Sequence, residues 1–327
     1  MKVYLTFDYE LFFGKAGSVQ KCILEPTERL VRICEKYGAK CVFFVDAGYL
    51  DRLRVESKRH PHLSRDRDEV LRQIQTLSNT GHDVQLHVHP HWEATTYDGH
   101  NWHFDLSRYR LDAFSDDAAL DIFGRYISCI TEATQRPVSA FRAGGWCIQP
   151  FAKFRAAFER FNIKVDSTVF GGGLNTTPSQ WFDFTQAPDL DSWSFDSDPC
   201  RHEPGGRCLE IPIASYRLAP TFFWRFALTK LIKTNAHQSF GDGIAAANSS
   251  GQIARLLTRF STSVVSADGY KTSFLKRAYQ KLKQKGHNHF VVIGHPKALS
   301  EYALARLDSF LNGLDRHDEV KTFSTAV

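Results

Sequence analysis

The stretch Gln85-Leu-His-Val-His-Pro-His-Trp92 sets three histidines, His87, His89 and His91, on alternate residues. Imidazole nitrogens are good ligands for zinc, and also for cobalt, nickel or iron. On a helix, His87 and His91 would share a face, but Pro90 stands between them and a β-rich run precedes them. The segment therefore reads as a strand end that turns into a loop. A loop can bring both imidazoles of the H-x3-H pair to one ion. If the strand persists, all three rings point the same way. The competing reading is a surface histidine run or a set of satisfied core histidines.

A third ligand should be a carboxylate from another strand end. Asp8-Tyr-Glu10 follows the first β-rich run and lies between "TF" and "LFF". Carboxylates inside an apolar run need a partner. Two of them beside a metal can divide the labour: one binds the ion, the other takes a proton from water. Elsewhere, polar groups close further apolar runs at Arg142, Asp166 and His295.

The elements that must position these groups alternate. Strands are expected at Lys2–Tyr9, Ala39–Val45, Asp83–Val88, Val138–Phe141, Ile163–Ser167, Leu209–Ile213 and His289–Ile293. Helices are expected at Pro26–Gly38, Asp66–Ser78, Asp116–Thr134, Gln149–Phe161, Gln252–Val265 and Leu299–Leu311. Such alternation calls for parallel strands with crossover helices, in a barrel or a doubly wound sheet. The first strand–helix turn lacks G-x-G-x-x-G, which counts against a dinucleotide fold. In a β/α barrel the C-terminal strand ends form one rim, where chemistry is done. Two long polar segments, Glu93–Phe114 and Gly171–Cys208, fit the alternation poorly and read as loops over that rim. No internal boundary stands out, so residues 1–327 are read as a single domain.

Composition narrows the function classes. The 327 residues are 43% hydrophobic and 24% charged, an ordinary globular balance. Net charge is +5, from 41 basic and 36 acidic residues well mixed along the chain. This excludes a nucleic-acid footprint but suits an anionic substrate. The seven cysteines include no C-x-x-C pair, and several lie in apolar runs, as reduced thiols do. Cys200 and Cys208 alone are placed to bridge a loop. The N-terminal run lacks a signal-peptide pattern, so a cytoplasmic location is expected. The apolar, basic segment 221–233 reads as a helix packed on the core or over a cleft, or as a peripheral membrane contact. The sequence fixes no oligomeric state.

Five short motifs occur in order: "TFDYE" at 6–10, "HVHPH" at 87–91, "FRAGG" at 141–145, "DST" at 166–168 and "IGHP" at 293–296. Together they resemble the polysaccharide deacetylase family, carbohydrate esterase family 4 with the NodB-homology fold. "CVFFVDAGYL" at 41–50 is similar to that family's second strand. The resemblance implies a distorted (β/α)7-type barrel with long loops on the active-site rim. It implies a divalent metal, zinc before cobalt, nickel or iron, held by His87, His91 and a carboxylate. The family's usual adjacent Asp pair is absent, because Tyr9 occupies the second place. Asp8 is then the base and Glu10 the ligand, with Asp8 as ligand left open. By the same resemblance Arg142 pairs with the base and the Gly145 N–H is an oxyanion donor. His295 is the general acid, and Asp166 the carboxylate that orients it. Trp92, Trp146 and His103 are candidates for substrate contact.

The implied activity is metal-dependent removal of an N-acetyl group from an acetamido sugar. A nucleotide- or lipid-linked glycan precursor, as in lipopolysaccharide or other surface-polysaccharide assembly, suits a cytoplasmic enzyme best. A deformylase or an amidase on another C–N substrate would use the same residues. A non-catalytic glycan-binding barrel need not keep all of them.

Overall fold

The computed structural model describes residues 1–232, 234–246 and 250–325, with backbone only for 250–252. Lys233, the last residue of the segment 221–233, lies outside them. The main sheet is built from β1 (Lys2–Tyr9), β2 (Val42–Asp46), β3 (Asp83–Val88), β4 (Ala140–Ala143), β5 (Val165–Asp166), β6 (Trp193–Phe195), β7 (Cys208–Glu210), β8 (His289–Gly294) and β9 (Glu319–Val320). Its order is β6-β7-β5-β4-β3-β2-β1-β8, with β9 also pairing with β1. Along this path only the β6–β7 pair is antiparallel. Seven parallel strands thus run from β7 to β8.

The sheet curls towards closure. Past β7, Ile213 bridges to Val291 of β8, and the Ala214 N–H donates to the Val291 carbonyl at 3.0 Å. On the other side of that segment, the Ile213 N–H donates to Val169 at 2.8 Å. Single bridges, not a full ladder, join the edges, so the barrel is distorted as the resemblance implies.

β1, β2 and β3 are buried almost throughout, and β2 accordingly reads as an apolar run up to Asp46. Helices α1 (Glu25–Glu35), α2 (Ala47–Glu56), α3 (His62–Asn79), α4 (Asp116–Thr134) and α5 (Ala152–Phe161) pack outside them. Ser115 caps α4, its Oγ accepting from the Ala118 N–H at 3.3 Å. α2 is an addition to the expected set: it follows β2 with no loop between. The expected helix 252–265 is corrected. α7 (Ser250–Thr258) stops early, and Ser261–Val264 forms a strand antiparallel to Ser215–Leu218. Segment 221–233 is largely α6 (Pro220–Ile232), which buries Phe223 but leaves Trp224, Leu228, Leu231 and Ile232 exposed. α8 (Leu275–Gln284) and α9 (Glu301–Asn312) complete the outer layer. No described helix is long and apolar enough to cross a membrane. The Cys200–Cys208 bridge is not formed, and both thiols are free.

Candidate metal and catalytic site

The C-terminal ends of β1, β3, β4 and β8 converge, bringing together Asp8, Glu10, His87, His89, Arg142 and His295. Glu10 Oε2 lies 2.7 Å from His89 Nε2 and 3.2 Å from His87 Nε2. One ligand atom from each of these three buried residues lies within 4.8 Å of the other two, an arrangement able to hold a metal ion.

This cluster pairs His87 with His89, where the sequence pointed to the H-x3-H pair His87 and His91. β3 stays extended through His89 (φ −111°, ψ 96°), so His87 and His89, two residues apart, share a face. Pro90 then opens a 3-10 turn, Pro90–Ala94, which carries His91 off that face. The His91 ring stacks on Tyr109 (5.3 Å, 16°) and on Trp92 (5.5 Å, 28°), and neither of its nitrogens has a partner. Burial, with the neighbouring His89, holds its pKa well below the ordinary value. In this arrangement the His91 ring packs among aromatic side chains.

The donor set fits a divalent cation. His87 Nδ1 lies 2.9 Å from the Arg142 carbonyl and must donate to it, which turns the Nε2 lone pair towards Glu10. Backbone-anchored imidazoles of this kind are typical metal ligands. A lone pair facing a carboxylate oxygen at 3.2 Å is repulsive unless a cation lies between them or the ring carries a second proton. Burial opposes that extra proton, but the charges of Asp8, Glu10 and Asp46 outweigh burial and raise the His87 pKa. His89 is pushed down to about 4, chiefly by burial. The other Glu10 oxygen accepts from Lys297 Nζ at 2.8 Å. Burial alone would raise the Glu10 pKa, but the Lys297 charge and the two imidazoles hold it well below the carboxylate range.

Asp8 stands beside this group. Its Oδ1 accepts from the fully buried Arg142 at 2.8 Å, and its Oδ2 lies 3.6 Å from His295 Nε2. Arg142 is itself fixed, donating to the Ser167 carbonyl at 2.8 Å and Ser167 Oγ at 3.2 Å. The carboxylate that orients His295 is Asp268, not Asp166. Asp268 Oδ2 accepts from His295 Nδ1 at 2.7 Å, and its Oδ1 accepts from the His295 N–H at 2.7 Å. Burial opposes the imidazolium, yet Asp268, with Asp8 and Glu10, raises the His295 pKa.

Asp166 serves a different purpose. Its Oδ1 accepts from Thr168 Oγ1 at 2.7 Å, and that hydroxyl accepts from the Ala143 N–H at 2.9 Å. Asp166 therefore anchors the end of β4. Burial raises its pKa, and raises that of its neighbour Glu210 far more. Two buried carboxyls side by side persist by sharing a proton.

The twin glycines after Arg142 are required by space. A Cβ at Gly144 would lie 2.5 Å from His89 Nδ1, so the imidazole rests on bare backbone. Gly145 takes φ +58°, and a Cβ there would meet the Tyr109 ring at 2.6 Å.

Of the candidate substrate contacts, Trp92 is fully buried, with its Nε1 donating to Asp46 Oδ2 at 2.6 Å. It is a core residue, not a sugar platform. Trp146 is half-buried against Phe170 and Phe182. His103 is exposed and pairs with Asp98 at 2.6 Å. Sequence reasoning missed Lys297, Asp268 and Tyr109. Lys297 directly follows "IGHP"; Asp268 ends the apolar run "STSVVSAD" before a glycine, which is a strand-end signal.

No protein-family model matches the chain, and neither does any curated protein. Solved structures do. A candidate polysaccharide deacetylase from Mycobacterium smegmatis aligns over 99% of this chain and 88% of its own, at 15% identity and a TM-score of 0.52. A family 4 carbohydrate esterase from Streptomyces lividans, in complex with acetate, aligns over 100% and 94% at 13% identity and 0.42. The catalytic domain of a peptidoglycan N-acetylglucosamine deacetylase from Eubacterium rectale aligns over 98% and 89% at 15% and 0.39. The chain shares the fold of the Mycobacterium smegmatis protein.

Proposed function

We propose that this protein is a metal-dependent hydrolase that removes the N-acetyl group of an acetamido sugar presented as a nucleotide- or lipid-linked glycan precursor. The observation that carries the reading is the order of groups across the rim: Asp8 locked to Arg142, the Glu10–His87–His89 cluster, and His295 locked to Asp268.

Glu10, His87 and His89 would hold a divalent ion, with zinc the best match to two imidazoles and a carboxylate. When bound, such an ion supplies Lewis-acid polarisation of a carbonyl and acidifies water. Asp8, held in place by Arg142, takes a proton from the attacking water. An amine leaves a tetrahedral centre only when protonated. His295 carries that proton on Nε2, because Nδ1–H is committed to Asp268. The fixed backbone at Gly144 and Gly145 offers amide dipoles to the developing oxyanion. Lys297 leaves one Glu10 oxygen for the ion by occupying the other.

The test is metal content together with the acid released from a panel of acetamido sugars, sugar nucleotides and lipid-linked sugars. About one equivalent of transition metal and stoichiometric acetate is the expected outcome. Formate, or bound glycan without turnover, would overturn the assignment.

A further inference from the structure

A cavity of about 710 Å³ opens beside the rim, lined by Phe12, Phe226, Lys230, His237, Asp268 and Lys271, among others. It reaches the site at two points. Asp268 is the residue that holds His295. The Phe12 ring lies 4.9 Å from Nζ of Lys297, which bonds to Glu10.

The charge balance in this cavity is unequal. Lys230 and Lys271 bring two ammonium groups, and neither forms an ion pair among the described residues. His237 adds an imidazole whose buried Nδ1 has no partner. The one carboxylate, Asp268, already has both oxygens engaged by His295. Across 211–267 the chain contains a single acidic residue, Asp242, against six basic ones. Rings form one wall: Phe226 stacks on Tyr270 (6.1 Å, 9°) and Tyr270 on Tyr302 (6.0 Å, 20°). Cavities of roughly 300–1,000 Å³ take small ligands, and paired cations in a partly enclosed space favour a multiply charged anion.

We infer that this cavity is a subsite for the diphosphate of the substrate, with Lys230, Lys271 and His237 meeting its oxygens while the sugar reaches across Asp268 to the rim. The inference rests on the deacetylase reading for the sugar, but not for the anion. A nucleoside diphosphate and a lipid diphosphate carry the same group. α6 brings Lys230 to the cavity and exposes Trp224, Leu228, Leu231 and Ile232, so either source has access.

The experiment is calorimetric titration of the metal-loaded protein with inorganic pyrophosphate, for wild type and the Lys230→Met/Lys271→Met double variant. Matched thermal unfolding of the two proteins provides the folding control. The expected result is saturable binding that weakens roughly tenfold or more in the variant, the scale of one or two lost charge-assisted contacts. Equal affinity in both proteins, as binding to the metal alone would give, or no binding to wild type, would overturn the inference. Two further arms, a nucleoside diphosphate and vesicles doped with a prenyl diphosphate, assign the source by whichever binds more tightly than pyrophosphate. Failure of the deacetylase reading would show separately, as absent acetate release with pyrophosphate binding intact.

Discussion

The two ends of the parallel sheet bury polar groups of opposite kinds. At the N-terminal end, acceptors meet donors. Asp83 Oδ1 accepts from Gln85 Nε2 at 2.7 Å, and its Oδ2 accepts from the Ser324 N–H at 3.0 Å. Gln85 Oε1 accepts from the N–H groups of Ser139 and Ala140 at 2.9 and 2.8 Å. At the C-terminal end, buried titratable groups crowd one another as well as their donors. Glu10 Oε2 faces two imidazole nitrogens, Asp166 lies beside Glu210, and Asp46 is pushed up to about 8 by burial and by Glu10. A satisfied network stabilises a fold; a cluster of interacting carboxylates and imidazoles is poised for a cation or a proton. Chemistry belongs at the second end, stability at the first.

The largest expected effects lie on the rim. Asp8→Asn leaves an acceptor for Arg142 but no base, and His295→Gln removes the acid. Each should lower kcat by about 10²–10⁴-fold, and Asp8→Asn should also lower the thermal midpoint, because Arg142 loses its buried counterion. A loss below threefold in both would remove the catalytic assignment. Next comes the pair of carboxylates that sequence and structure rank differently. Asp268→Asn should cost on the order of 10²-fold, because it frees the His295 ring and its tautomer. Asp166→Asn should cost less than about tenfold, because Asp166 acts only on the end of β4. The reverse order in steady-state kinetics would restore the sequence-based role of Asp166.

The N-terminal end should move stability and leave turnover alone. His82 is buried at the start of β3, and its Nδ1 accepts from the Cys41 N–H at 3.0 Å. Burial, then Lys40, lowers its pKa from 6.5 to about 4. The unfolded chain therefore binds this proton more readily than the fold does. Stability from this group is complete above about pH 6.5 and falls as pH drops towards 4, by on the order of 3 kcal/mol. His82→Gln should flatten that part of a urea-midpoint profile; an unchanged slope would show that another group carries it. Ser324→Ala, the smallest change, should cost about 1 kcal/mol for the hydroxyl's hydrogen bond to Asp83 Oδ1 and leave kcat unchanged.

Much of this was legible in the sequence, and the exceptions share a cause. Strand ends were readable because buried parallel strands are continuous apolar runs, so Asp8, Arg142 and His295 stand out where the runs stop. Alternation told of parallel strands, but not of the loop-free α2. Which histidines meet Glu10 depended on where β3 gives way to the turn, and a single residue there decides the answer. The backbone stays extended through His89, one residue past β3, and Pro90 then diverts His91. Asp268 was hidden because the strand Ser261–Val264, four residues before it, was read as the tail of a helix. Lys297 and Tyr109 reach the site from a turn and a long loop, where no periodicity marks direction. Trp92 looked like a platform because its neighbours are motif residues; its side chain instead points into the core towards Asp46.

The central claim is that Glu10, His87 and His89 form the metal site while His91 packs. Metal content by mass spectrometry, on protein purified without chelator, tests it directly across wild type, His89→Ala and His91→Phe, the last retaining the ring stack on Tyr109. About one equivalent is expected in wild type and in His91→Phe, and little in His89→Ala. Metal kept by His89→Ala and lost from His91→Phe, or none in wild type, would contradict it.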